Sequence, residues 1–173
     1  MNWLLIAFIL ALLVSPVMWL KPSPKQKRVA RLRAHATRAG VRVKLAAPPL
    51  HAAGKQMPSY RWGYPKEQPG PRFVAVRESA SSSVLKAVCH GWRWRIEPLR
   101  PLPDDAQQRL EALLTRLPQD ALVLESDIHG VTLWWYESQG PERFDSYLGD
   151  LAALRDSLAG RPDRPPTVKP LVK

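Results

Sequence analysis

The sequence predicts an α+β fold: a small antiparallel sheet with two helices on one face, preceded by a single N-terminal transmembrane helix. Three observations carry that prediction. Residues 3–20 run for eighteen positions without a charge. Between residues 72 and 160, short stretches that alternate apolar and polar side chains are interleaved with stretches whose leucines recur every three or four positions. The charge is also divided. Of 26 Lys and Arg, twelve fall in residues 1–66 with no acid among them, and the other fourteen share residues 67–173 with all 15 Asp and Glu. The net charge of +11 therefore belongs to the N-terminal third, which argues against general nucleic-acid affinity across the chain. A length of 173 residues suits one modest domain with an anchor and tails. The single cysteine, Cys89, excludes an internal disulfide and a Cys-rich zinc module.

The first element is Trp3 to Leu20, which as a helix covers roughly 27 Å, close to the hydrocarbon thickness of a bilayer. Trp3 and Trp19 lie near its ends, where indole rings act as interfacial anchors. Pro16 near the end of the run is a tolerable kink. A cleaved signal peptide needs positive charge before the run and a small-x-small site after it, and neither occurs. Residues 1–20 are thus expected to anchor the chain in a lipid bilayer. Lys21, Lys25, Lys27, Arg28, Arg31, Arg33 and Arg38 follow at once, so the positive-inside rule puts the N-terminus outside and the C-terminal domain in the cytoplasm.

Residues 21–45 read as a basic helix and a short strand. Val29, Leu32, Ala36 and Ala39 mark one stripe from Lys25 to Ala39, Gly40 is a stop signal, and Val41–Leu45 alternates. Beside a bilayer, the seven cations from Lys21 to Arg38 are expected to meet anionic lipid headgroups, each adding about 1 kcal/mol near the surface. RNA, DNA or the ribosome is the alternative partner, although no aromatic residue interrupts the cluster for base stacking. Residues 46–71 carry six prolines and three glycines and read as a linker without long regular structure. Tyr60, Trp62 and Tyr64 alternate near its end and either dock on the following domain or stand exposed.

In residues 72–160, Phe73–Val76 and Trp92–Glu97 read as strands, and Ala80–Val88 fits strand or helix. Asp104–Leu117 is a helix with Leu110, Leu113, Leu114 and Leu117 inward and two aspartates at its positive end. Ala121–Glu125 and Val131–Tyr136 form a hairpin in which Gly130 supplies a positive φ. Pro141–Leu158 is the second helix, opened by Pro141 and closed by Gly160, with Gly149 at a cost of about 1 kcal/mol in its middle. Val131, Leu133 and Trp135 share one hairpin face, and Thr132, Trp134 and Tyr136 the other. If helices cover only one face, Trp134 and Tyr136 form a partner surface, unless the linker aromatics cover them. Residues 161–173, with four prolines and no periodicity, read as a disordered tail.

No phosphate loop, dinucleotide fingerprint or kinase signature occurs, and His35, His51, His90 and His129 share no metal-ligand spacing. Cys89 and His90 are adjacent, but neighbours in a strand point to opposite faces. No catalytic, cofactor or metal residue is assigned, and no small-molecule ligand is evident. The expectation is a non-enzymatic protein presenting an interaction domain, with a hydrolase using His90 or His129 as the enzymatic alternative.

The run from the apolar segment through Lys21-Pro22-Ser23-Pro24-Lys25-Gln26-Lys27-Arg28 to Gly40 resembles the start of the YajC family, small accessory subunits of the bacterial preprotein translocase. The resemblance covers about residues 1–45, with Lys-Pro-Ser where the family has Arg-Pro-Gln. It implies a bacterial inner-membrane protein without catalysis, partnered with SecD and SecF. The Trp-rich α+β domain has no counterpart in that family.

Overall fold

The computed structural model describes residues 2–10, 23–50 and 56–163. Residues 3–10 form helix α1. Among the described residues no helix is long and apolar enough to cross a membrane. The expected transmembrane anchor is therefore corrected, and with it the single-pass inner-membrane placement and the translocation reading built upon it. Positions 11–22, including Trp19 and Lys21, lie outside the described residues, as do residues 51–55 with His51 and residues 164–173 of the expected tail.

Helix α2 (Pro24–Arg38) starts where the chain chemistry favours a start. The Ser23 hydroxyl accepts from the Gln26 amide at 3.2 Å, and Gln26 Oε1 accepts from the Ser23 amide at 2.8 Å. This reciprocal cap satisfies two backbone donors, and Pro24 sits where a missing N–H costs nothing. Gly40, at φ +83°, turns the chain out of the helix. Strand β1 (Arg42–Ala46) follows, then β2 (Met57–Gly63), β3 (Phe73–Arg77), β4 (Ala87–Cys89) and β5 (Trp92–Ile96). Helix α3 (Asp104–Arg116), strands β6 (Ala121–Asp127) and β7 (Gly130–Trp135), and helix α4 (Pro141–Leu158) complete the order.

The seven strands form one sheet, β1-β2-β7-β6-β3-β5-β4, with every neighbouring pair antiparallel. Pairing register assigns the two faces. Val43, Tyr60, Leu133, Leu124, Ala75 and Trp94 form one row across β1, β2, β7, β6, β3 and β5. On the other face the adjoining row is Lys44, Ser59, Trp134, Val123, Val76 and Arg93. The first face meets the helices. Trp135 stacks on Phe144 of α4 with ring centroids 5.8 Å apart, and Tyr60 packs on Phe144 at 5.3 Å and edge-on to Trp135 at 5.6 Å. Burying each such ring stabilises by about 1.5–3 kcal/mol. Leu110, Leu113 and Leu114 bring α3 into the same core, and Trp92 Nε1 donates to the Leu114 carbonyl at 3.1 Å. Arg77 closes the far end of α3, donating to the carbonyls of Leu117, Pro118 and Ala121.

Three local expectations change. The expected pair of helices on the sheet becomes three, because α2 buries Leu32 and Ala36 and packs beside α4. The linker contributes β2, which lies between β1 and β7 and carries Tyr60 and Trp62 into the core. Pro58 is tolerated there because pairing with β7 begins only at Ser59, so its missing N–H breaks no bond on that side. Gly130 lacks the positive φ expected of it, since the positive-φ glycines among the described residues are Gly40, Gly91 and Gly160. Its hydrogen is needed for another reason: a Cβ would stand 2.3 Å from the Trp62 carbonyl oxygen. The ambiguous segment before Trp92 holds β4, which turns into β5 through His90 at φ +29° and Gly91 at φ +78°.

These environments predict opposite effects for two alanines. Gly149→Ala on α4 meets nothing within 4 Å and should raise stability by about 0.5–1 kcal/mol. Gly130→Ala must push two strands apart and should lower it by at least about 2 kcal/mol. Urea unfolding midpoints measure both, and equal signs would refute the packing described.

Candidate functional site

Residues 23–50 contain eight cations and no acid, and folding holds them in place through one buried carboxylate. Glu137 follows β7, at φ +57°, with 4% of its side-chain surface exposed. Arg33 on α2 grips it with both arms of the guanidinium, Nε and Nη2 each donating over 2.7 Å. The Tyr60 hydroxyl donates to the same carboxylate at 2.7 Å, and Arg28 Nη2 donates to the Glu137 carbonyl at 3.2 Å. The hydrogen bonds from Arg33 to Glu137 raise the Arg33 pKa above its ordinary value, outweighing the opposing effect of burial. Burial, reinforced by the bond to Glu137, pushes the Tyr60 phenol well above its own. Tyr60 is therefore a neutral donor at every physiological pH.

Docking divides the cations expected to act together. Arg33 is held by Glu137, and Arg28 is half-buried against it. Lys25, Lys27, Arg31 and Arg38 remain exposed, joined by Arg42 and Lys44 on β1. The apolar stripe of α2 is turned inward, with Leu32 and Ala36 fully buried, so the outward face of the helix is polar. His35 also leaves the exposed set, pairing with Asp145 of α4 at 2.6 Å. Trp3 stands 85% exposed on α1.

The two aromatic residues offered as a partner surface separate. Trp134 lies on the sheet face away from the helices but is only 6% exposed, and its Nε1 donates to Glu125 Oε2 at 3.1 Å. Arg61 beside it donates to Thr132 Oγ1 at 2.9 Å and to Asp127 Oδ2 at 2.8 Å. The segment leaving β1 reaches this side of the molecule, where the Pro49 carbonyl accepts from Arg95. Tyr136 is 54% exposed and directly precedes Glu137, next to the anchored α2.

The reactive-looking residues sit in other settings. Burial, with Glu111 nearby, pushes the Cys89 thiol above its ordinary value, which disfavours the nucleophilic thiolate. His90 is exposed in the β4–β5 turn. Asp127 Oδ1 accepts from the amides of His129 and Gly130 at 2.7 and 3.0 Å, shaping the β6–β7 turn. Among the described residues no group of three His, Cys, Asp or Glu gathers to hold a metal ion. Sequence reasoning missed Glu137, the residue that organises the face, because nothing around it in sequence distinguishes it from any loop glutamate.

Two measurements check these electrostatics. Arg33→Ala strands the carboxylate and should cost about 2–3 kcal/mol, below a fully buried pair because 36% of Arg33's side chain is exposed. Adding Glu137→Gln should recover part of that loss, with at least about 1 kcal/mol of coupling in urea unfolding; strictly additive losses would refute the pairing. Glu125 titrates above the ordinary range chiefly through burial, with Asp127 raising and Trp134, Arg61 and Arg72 lowering it. Its folded form takes up a proton more readily than the unfolded one, so its contribution to stability is full below about pH 4.3 and falls as pH rises through the folded value. Glu125→Gln should accordingly raise the Tm at pH 7 and lose that advantage near pH 4. A scan against protein-family models, a search of curated proteins and a search of solved structures returned no match, so the geometry alone carries the functional reading.

Proposed function

We propose that this chain is a non-enzymatic interaction module whose α2–β1 face receives an acidic surface of a partner protein. The observation that carries the reading is the Arg33–Glu137 clamp, which fixes α2 on the sheet and leaves Lys25, Lys27, Arg31 and Arg38 projecting from one rigid support. Fixed cations lose little freedom on binding, and charge complementarity of this kind steers encounter and sets orientation. The exposed Tyr136, which precedes the clamped Glu137 in the chain, is of the side-chain type enriched among interface hot spots. The inward apolar stripe of α2 favours contact through charge rather than insertion of a hydrophobic face.

Binding of the full chain to poly-glutamate, to a single-stranded RNA homopolymer and to vesicles of mixed neutral and anionic lipid tests the proposal. Poly-glutamate is expected to bind, and the variant carrying Lys25→Gln, Lys27→Gln, Arg31→Gln and Arg38→Gln should lose at least about tenfold in affinity with an unchanged Tm. Preference for RNA with a steep salt dependence, preference for the vesicles, or binding indifferent to the four substitutions would each overturn it.

A further inference from the structure

At the end of the sheet bounded by the β6–β7 turn, a cavity of about 580 Å³ opens between β1, β2 and α4. Three arginines line it, Arg42, Arg61 and Arg155, together with His129 and Tyr64. They come from separate elements, so their convergence is a product of the fold rather than of a local charge run. Arg61 is oriented by Thr132 and Asp127 through Nε and Nη2, which leaves its Nη1 uncommitted among the described residues. Arg155 uses Nε and Nη2 on Asp156, the latter at 2.6 Å, and likewise keeps Nη1. Arg42 makes no ion pair among the described residues. Two carboxylates thus offset three guanidiniums, and the excess positive charge faces a space within the range of small-ligand pockets.

We propose that this cavity binds the phosphate group of a small molecule, held by Arg42, Arg61 and Arg155. A guanidinium presents paired N–H donors at the spacing of phosphate oxygens, and charge-assisted bonds of this type are stronger than neutral ones. Asp127 and Thr132 hold Arg61 in place before a ligand arrives, which lowers the ordering cost of binding. His129, whose backbone amide donates to the Asp127 carboxylate at the turn, is also a lining residue. The site is separate from the α2 cations, so either can fail while the other stands.

Titration calorimetry of the full chain with inorganic phosphate and with pyrophosphate, at constant ionic strength set by sodium chloride, tests the site. Saturable one-to-one binding is expected, weakened about tenfold or more by Arg42→Gln and by Arg155→Gln, and unchanged by Lys25→Gln with Lys27→Gln. Circular dichroism and Tm establish that each variant folds. Absence of saturable binding, as expected if these arginines only complement the carbonyl end of α4, would overturn the proposal. Equal loss in the Lys25→Gln/Lys27→Gln variant would overturn it too, by revealing diffuse attraction to the whole basic surface.

Discussion

A nearly water-free carboxylate, that of Glu137, is the constraint on which the arrangement of this domain turns. An isolated charge in that setting carries a desolvation cost of several kcal/mol, and the fold meets it with a bidentate guanidinium from α2 and a phenol from β2. Because those donors come from a helix before the sheet and a strand next to its edge, satisfying one side chain requires both to be in position. The basic segment thereby becomes part of the domain. An apolar contact in its place would bind α2 as tightly but specify its placement less sharply, since a two-armed hydrogen bond tolerates little rotation or sliding.

The sheet gives that clamp its rigid base. Period-two alternation sends Tyr60, Leu133 and Trp135 toward the helices and Ser59, Thr132 and Trp134 away from them, so each adjacent tryptophan of the Trp134–Trp135 pair enters a different environment. Trp135 stacks on α4 among other rings. Trp134 is buried on a polar face, where a carboxylate held above its ordinary range by burial accepts its N–H. Both faces are therefore structured, one by aromatic packing and the other by a network of Arg61, Thr132, Asp127 and Glu125.

The electrostatics of the surface follow from these internal pairings. Arg33 and His35 are withdrawn by acids of the domain, and the remaining cations on α2 are presented as a fixed set. A polar outward face on α2 suits a charged partner better than an apolar one. Where β1 begins and β2 ends, Arg42 and Arg61 line a cavity with Arg155 of α4. Two distinct cationic features thus arise, one on the helix and one where arginines of β1, β2 and α4 line a common cavity. They differ in kind: a convex set of dispersed charges suits an extended surface, whereas a concave set of convergent donors suits a compact anion.

Local chemistry determined the limits of α2, α3, α4 and the β6–β7 hairpin, and these were legible in the sequence. Proline at a first turn, terminal glycines and leucines at helical spacing act over three or four residues and need no distant partner, whereas the Ser23 cap of α2 emerged only in the structure. The division of charge was legible for the same reason. What the tertiary structure alone decided involves residues far apart in the chain. Glu137 meets Arg33 across 104 positions and Tyr60 across 77, and no pattern near any of them announces the others. Pro58 made the linker read as irregular, yet the pairing of Tyr60 and Trp62 with β7 outweighs one missing N–H. Gly130 was recognisable as necessary, but its reason, the close approach of β2, appears only once the strands are side by side. The long apolar run suggested a spanning helix by composition, whereas among the described residues no helix is long and apolar enough to cross a membrane.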